Sequence, residues 1–366
     1  MIGASFIYSP FQYVSAVDVS NIVPTTRDPL KWPFASNSIW NMPIGTGAIY
    51  VPADLPANPN NEAWAPMPNL DREIIMLRSN TPLVPVYTST AAWTGRDRCT
   101  STGPWIMSVH MPLDYIVPNS KKNNGAVFLD ADGQNLVQLQ PFTRCSVGGI
   151  ATALLRFPSL SLYGAGVAGA HGGSGLSTLG GTIRVGELRP GSVGMRHVLK
   201  LNVHSNLVLS KCADRSQCYR WPATTADLNA PSVYGTLSKK INSAMKMGAL
   251  LAIPRSIKLS SLNLQSEPGR QIAWTLQNYG AYIVDSTGGP GYSLSVEEGA
   301  DGSVAKQFMT DYKYPMEDWA IHACTNPWVG DFQKIIQVLQ VVDNNGPTSI
   351  GGGGTPLQPL APEIHP

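Results

Sequence analysis

The chain has 366 residues, of which 43% are hydrophobic and 14% are charged, and its formal net charge is +2 at pH 7. This length and apolar content can supply a full core, in one large all-β domain or two ordinary domains. The low charge excludes a basic nucleic-acid-binding surface and an acidic disordered chain. The 35 glycines and 30 prolines separate short runs rich in Val, Ile, Leu and Tyr, which favours strands and loops over helices.

The chain begins with a segment, residues 1–27, that has the character of an N-terminal arm. Residues 1–23 lack the basic region and continuous apolar core of a signal peptide. Either export is absent or the signal was removed before this numbering begins, and we favour removal. No run approaches the ~18 apolar residues of a membrane-spanning helix, so we expect no membrane span.

The clearest hairpin signal lies in GAVFLDADGQNLVQLQ. Asp132 and Gly133 separate two apolar-rich runs, as in a two-strand turn. The two aspartates of this turn do not indicate a calcium-binding EF-hand loop. The sixth and twelfth loop positions hold Asn135 and Pro141, where that loop requires Gly and Glu.

A second hairpin is predicted between residues 183 and 203, with the turn at Arg-Pro-Gly-Ser, residues 189–192. With strand period two, Glu187 and His197 lie opposite each other on an otherwise apolar face. An unpaired charge there would be costly. The pair is therefore a candidate acid/base site, and the alternative is a buried ion pair that only stabilises the hairpin.

The five cysteines do not form a zinc-binding pattern. Cys212 and Cys218 flank a short polar segment, which predicts a disulfide-closed loop in an oxidising compartment. An odd count leaves one cysteine unpaired or bonded to another chain. The alternative is five reduced or buried cysteines.

Two helices are predicted near the C-terminus. Ser266 caps the first, which starts at Glu267 and stops at Gly280, and a strand follows over residues 281–285. The second covers residues 331–339 and passes into a strand at 340–342. From residue 343 onward, Gly and Pro predict a flexible tail, so we expect a single β-rich domain over residues 28–342.

The chain resembles a group of largely uncharacterised exported bacterial proteins. The resemblance covers roughly residues 30–300 and rests on WPFASNSIWNMPIG, SGLSTLGGTIRVGELRPG with His197 following, YRWPA, MKMGALLAIP and EPGRQIAWTLQNYGAYIVD. It implies no activity that can be carried over residue by residue. It implies a shared pattern whose members are Arg184, Glu187, His197, Arg220, Trp221, Tyr279 and Asp285.

Asp285 ends a predicted strand, so its side chain can project into a cleft and complete the carboxylate pair used in glycoside hydrolysis. The alternative is an aspartate that only forms a turn. The face opposite Glu187 and His197 carries Arg184, Lys200 and His204, which suit anionic groups on a sugar chain, unless that face is merely solvated. Arg220 and Trp221 are further substrate-binding candidates. An exposed tryptophan ring can stack on a sugar, and the alternative for Trp221 is packing in the core.

The segment His171-Gly172-Gly173-Ser174 is similar to the oxyanion loop of esterases. No GxSxG pentapeptide occurs in the chain, so serine-hydrolase chemistry is not expected. The segment is instead expected to form a tight glycine-rich loop, whose backbone can approach neighbouring atoms closely.

We therefore expect an all-β fold, a β-sandwich or jelly-roll-like arrangement with one or two short helices. The expected function is a secreted polysaccharide-processing enzyme, either a glycoside hydrolase or a polysaccharide lyase, acting on a polysaccharide or cell-surface glycan. Its catalytic residues would be Glu187, His197 and Asp285, with no cofactor or metal. The alternative is a non-catalytic extracellular surface, matrix or filament-forming protein that binds glycans or self-assembles, with possible homo-oligomers formed through the terminal arms.

Overall fold

A computed structural model describes residues 24–56, 68–91, 93, 97–119, 123–238, 242–289, 291–317 and 326–366. Most of the expected N-terminal arm, residues 1–23, lies outside the described residues. The strands are β1 (Tyr50–Pro52), β2 (Pro68–Met76), β3 (Leu83–Ser89), β4 (Thr102–His110), β5 (Ala126–Leu129), β6 (Asn135–Thr143), β7 (Ala151–Arg156), β8 (Leu160–Ser161), β9 (Ala168–His171), β10 (Leu199–Val203), β11 (Leu250–Ala252), β12 (Ala281–Ser286), β13 (Tyr292–Gly299), β14 (Gly302–Ser303) and β15 (Gln340–Val342). The α-helices are α1 (Ser205–Val208), α2 (Ala230–Val233), α3 (Glu267–Asn278), α4 (Val304–Tyr312) and α5 (Pro327–Val338).

Fourteen of these described strands form one mixed sheet. Its order is β1-β15-β11-β12-β10-β13-β2-β5-β6-β7-β3-β4, with β14 beside β13 and β8 beside β6. The prediction of an all-β, sandwich-like fold with few helices is confirmed. The described residues contain five short α-helices where the sequence predicted one or two. Two of the additional helices are single four-residue turns, too short to leave a periodic apolar pattern.

The centre of the sheet buries different side chains on its two faces. Leu199, Leu201 and Val203 of β10 belong to a large apolar cluster that also contains the buried residues of α3 and α5. The alternate residues of β10, Lys200 and Asn202, are also buried, although they are polar. Successive side chains of a strand point to opposite faces. The second face is therefore a covered polar surface, and it holds the candidate site.

Several predicted elements are confirmed. β5 and β6 form the expected antiparallel hairpin around Asp132 and Gly133. Helix α3 begins after Ser266, whose hydroxyl accepts a hydrogen bond from the Gly269 amide. The final strand lies at 340–342 as predicted, and the helix before it begins at Pro327, four residues earlier than predicted.

The predicted hairpin between residues 183 and 203 is wrong. Ile183 forms an isolated parallel bridge with Val296, and the residues after it are turns rather than a strand. β10 pairs instead with β12 and β13, which lie about ninety residues further along the chain. Period-two alternation fits both arrangements, because it records which residues share a face and does not record which strand lies beside them.

The C-terminal segment, residues 343–366, was expected to be a flexible tail but packs against residues 27–48. The amides of Gly45 and Gly47 donate to the carbonyls of Gly351 and Gly353, each at 2.9 Å, and the Leu357 amide donates to Ile44 at 2.9 Å. These contacts lie within one chain. Homo-oligomer formation through the terminal arms stays a prediction.

Two disulfides are present among the described residues. The predicted bond between Cys212 and Cys218 is confirmed, and a second joins Cys99 to Cys145. Cys324 lies outside the described residues. The second disulfide spans a separation of 46 residues, which no local sequence pattern reveals.

Candidate functional site

Polar side chains line the covered face of the three central strands. In the register of the sheet, Ser295 of β13 lies opposite Asp71 of β2, and Glu297 lies opposite Glu73. Asn202 of β10 donates from Nδ2 to Asp71 Oδ2 at 2.9 Å. Because neighbouring strands keep paired residues on one face, these groups form a continuous buried polar surface.

Asp285 joins this surface through a β-bulge. The pairing of β10 with β12 shifts after Leu201 and Ile283, so that Asn202 lies opposite Asp285 and Val284 is skipped. A bulge adds one residue to one strand and re-aims the side chains that follow. The Asp285 carboxylate consequently lies on the polar face, where Asn123 Nδ2 donates to its Oδ2 at 3.2 Å.

His171, the last residue of β9, lies between the carboxylates. Its Nε2 is 2.7 Å from Glu73 Oε1 and 3.7 Å from Asp71 Oδ2, and its Nδ1 is 3.5 Å from Asp285 Oδ2. The last separation is an ionic contact, because Nδ1 makes no hydrogen bond. The imidazole therefore connects β2 to the bulge in β12. All four side chains are buried.

Lys200 supplies a second positive charge. Its Nζ donates to Glu73 Oε1 at 2.9 Å and to the carbonyls of Ser177 and Thr178. Burial raises the pKa of Glu73, but Lys200 and His171 outweigh burial and lower it overall. Burial and Lys200 lower the pKa of His171, yet its carboxylate contacts raise it to about 9. Both carboxylate and imidazole are thus charged at neutral pH.

A glycine-rich loop, residues 172–175, lies directly against Asp285. A Cβ placed on Gly173 would lie 2.6 Å from Asp285 Oδ1, so only glycine fits there. The adjoining Ser174 is fully buried and its hydroxyl accepts the Leu176 amide, which confirms a tight loop. The loop also contacts Thr224, whose amide donates to the Ser174 carbonyl at 2.9 Å.

Asp227 is a carboxyl group near Asp285 that the sequence did not indicate. Tyr234 donates its hydroxyl to Asp227 Oδ2 at 2.6 Å. Burial and the neighbouring Asp285 raise the pKa of Asp227, against the opposing effects of Tyr234 and Arg215. Asp227 is half-buried, so it is the more accessible of the two carboxyl groups.

Glu187 and His197 do meet, at 3.1 Å between Oε2 and Nε2, although not through a hairpin. Glu187 Oε2 also accepts the Arg184 amide at 2.6 Å, and His197 Nδ1 contacts the Val198 carbonyl at 2.9 Å. Both ring nitrogens of His197 are therefore occupied. A cleft of about 320 Å³, whose lining includes Lys31 and Trp32, adjoins the pair.

The structure divides the predicted catalytic residues between two clusters. Asp285 belongs to the His171 cluster, while Glu187 and His197 stabilise the turn around residue 187. Arg184 forms a buried ion pair with Glu297, at 2.8 Å between Nε and Oε2. Arg184 and Lys200 are both buried against carboxylates of the same chain, and their expected role in binding anionic substrate groups stays a prediction.

The remaining predicted substrate-binding residues are dispersed. His204 precedes α1, is half-buried, and borders a separate cleft of about 700 Å³. Arg220 forms an ion pair with Asp343 at 3.2 Å. Trp221 is half-buried and packs against the apolar cluster that contains Trp40 and Tyr282. The structure does not bring these three residues to the His171 cluster.

Sequence reasoning missed Asp71, Glu73 and Asp227. Asp71 and Glu73 are two residues apart in NLDREIIM, so strand alternation places both on one face, and this pattern could have indicated a polar site. The five prolines between residues 52 and 68 predict an extended loop over residues 52–70, which hid this signal. Asp227 carried no periodic signal, because it lies outside helices and strands.

No protein-family model matches the chain, and neither the curated proteins nor the solved structures include a significant match. Among the described residues, no helix is long and apolar enough to cross a membrane.

Proposed function

We propose that this protein is an extracellular polysaccharide-processing enzyme, a glycoside hydrolase whose acid/base pair is Asp227 and Asp285. The observation that carries the proposal is a pair of neighbouring carboxyl groups, Asp227 and Asp285, whose charges interact. One is half-buried with a raised pKa, and the other is buried beside His171. Carboxyl groups in unlike environments are the usual means of separating acid and base roles.

In the proposed reaction, Asp227 is the general acid. Its raised pKa keeps a proton available, which passes to the glycosidic oxygen as the bond to the anomeric carbon breaks. Asp285 accepts a proton from the water whose oxygen forms the new bond to that carbon. His171 Nδ1 lies 3.5 Å from Asp285 Oδ2 and helps to position this carboxylate.

The ion pairs favour hydrolysis over elimination by a lyase. A lyase must neutralise the carboxylate of a uronic acid, and the basic residues expected to do so were Arg184 and Lys200. Both are engaged by buried glutamates. The two disulfides support an oxidising, extracellular location for the protein.

The test is a panel of neutral and acidic polysaccharides incubated with the purified chain, with reducing ends and unsaturated products measured separately. We expect reducing ends without unsaturated products. Asp285→Asn and Asp227→Asn should each lower turnover by about 10² or more. Asp301→Asn changes an exposed carboxylate and should retain activity. Unchanged turnover in both site variants, or no hydrolysis of any substrate, contradicts the proposal.

A second candidate function, self-assembly as a surface or matrix protein, is favoured by one observation. β4 lies at the end of the described sheet, and no described strand pairs with its outer edge. Trp105 on this strand is 59% exposed, and Leu83 on the neighbouring strand is 60% exposed. Exposed apolar edge strands promote strand addition between chains. Light scattering of the wild type and Trp105→Lys tests it, and a monomeric wild type at high concentration contradicts it.

A further inference from the structure

Three side chains able to bind a metal ion converge beneath the glycine loop. Asp71, Glu73 and His171 each offer one ligand atom, and these atoms lie within 4.8 Å of one another. All three residues are at least nine-tenths buried. We propose that this cluster binds a divalent transition-metal ion such as Zn²⁺ or Mn²⁺. From the sequence we had expected no metal.

Unpartnered oxygen atoms beside Asp71 provide an independent observation. Asn69 Oδ1, Asn202 Oδ1 and Ser295 Oγ are buried and make no hydrogen bond. Asn202 contacts Asp71 through its amide nitrogen, and Ser295 lies opposite Asp71 in the sheet. Buried polar atoms in proteins almost always have a hydrogen-bond partner, so several unpartnered oxygens together point to a further ligand. A metal ion and its bound water supply such partners.

The orientation of His171 matches that of a metal-binding histidine. A metal ion at Nε2 replaces the proton there, and the remaining ring proton then lies on Nδ1. Nδ1 has no hydrogen-bond partner and is 3.5 Å from Asp285 Oδ2. Metal-ligating histidines usually donate their other N–H to a carboxylate, and Asp285 is the carboxylate that faces Nδ1, although the contact at 3.5 Å is longer than a formed hydrogen bond.

The surrounding charges are compatible with an added cation. Glu73 Oε1 already accepts from Lys200 and His171, which leaves Oε2 as its second donor atom. A Cβ on Gly125 would lie 2.8 Å from Oε2, so the absence of a side chain at this position leaves space beside the oxygen. A divalent ion bound here would lie near three buried carboxylates, those of Asp71, Glu73 and Asp285, which is favourable where the dielectric constant is low.

The donor set selects the class of metal. One imidazole nitrogen and two carboxylates, without a thiolate, suit Zn²⁺ or Mn²⁺. Ca²⁺ and Mg²⁺ are bound mainly by oxygen ligands and have less use for the imidazole.

The test measures binding and not activity. The full chain is treated with EDTA, dialysed, and titrated separately with ZnCl₂, MnCl₂ and CaCl₂ in a calorimeter at neutral pH. We expect one Zn²⁺ or Mn²⁺ per chain, bound more tightly than Ca²⁺. Asp71→Asn and His171→Gln should each weaken binding by about 100-fold or more. His197→Gln makes the same change at another buried histidine beside a glutamate and should bind like the wild type.

The proposal is overturned if the wild type binds neither Zn²⁺ nor Mn²⁺, if Ca²⁺ binds as tightly, or if Asp71→Asn and His171→Gln bind as the wild type does. Should His171→Gln fail to fold, Asp71→Asn and the wild-type titrations still decide the question. Metal binding without hydrolysis would overturn the proposed function and leave this inference standing.

Discussion

Replacing Arg184 with Met tests whether this arginine is structural. In the wild type, Arg184 Nε and Nη2 contact the two carboxylate oxygens of Glu297 at 2.8 and 3.4 Å, and Nη1 donates to the Leu30 carbonyl at 2.9 Å. In Arg184→Met, Glu297 still accepts the hydrogen bond from the Val185 amide at 2.9 Å, but it has lost the positive charge of the guanidinium group. The side chain of Glu297 is only 2% exposed, so water cannot replace the arginine.

An uncompensated buried charge destabilises a protein by about 3–5 kcal/mol, and we expect Arg184→Met to lie in this range. The assay is urea unfolding followed by tryptophan fluorescence, with both disulfides intact. Arg189→Met is the matched control. Its ion pair with Asp311 involves an arginine side chain that is 46% exposed, and losing it should cost less than about 1 kcal/mol.

A double variant separates the loss of the ion pair from a packing defect. Arg184→Met combined with Glu297→Met removes both charges, and stability should recover most of the loss. If Arg184→Met loses less than about 1 kcal/mol, the buried ion pair does not stabilise the fold, and Arg184 again becomes a candidate for binding substrate.

Two further predictions concern pH and the C-terminal segment. Burial lowers the pKa of His197, but Glu187 outweighs burial and raises it above the ordinary value of 6.5. The stabilisation from this pair is therefore full below about pH 6.5 and lost as pH rises through the raised pKa. Melting curves at a series of pH values should show this loss in the wild type and a smaller one in Glu187→Gln, and identical slopes would contradict it. Deleting residues 350–366 removes backbone hydrogen bonds to residues 44–47 and should lower the melting temperature by at least several degrees, whereas an unchanged value would support a flexible tail.

The sequence by itself determined the local elements. The cap at Ser266, the glycine that ends α3 and the Asp132-Gly133 turn each act over a few residues, and the structure has them where they were predicted. The short disulfide loop between Cys212 and Cys218 is of the same kind. The contact between Glu187 and His197 was also predicted, but the hairpin that was its basis is absent.

Only the tertiary structure decided the site. Lys200 and Glu73 are 127 residues apart in the chain, and Asn202 and Asp71 are 131 apart. Alternating polar residues on a strand indicate one distinct face, and the pattern is the same whether solvent or protein covers that face. The polar face is buried here because β9 and the glycine loop cover it. The bulge that turns Asp285 toward His171 depends on the pairing of β10 with β12, which no local pattern records.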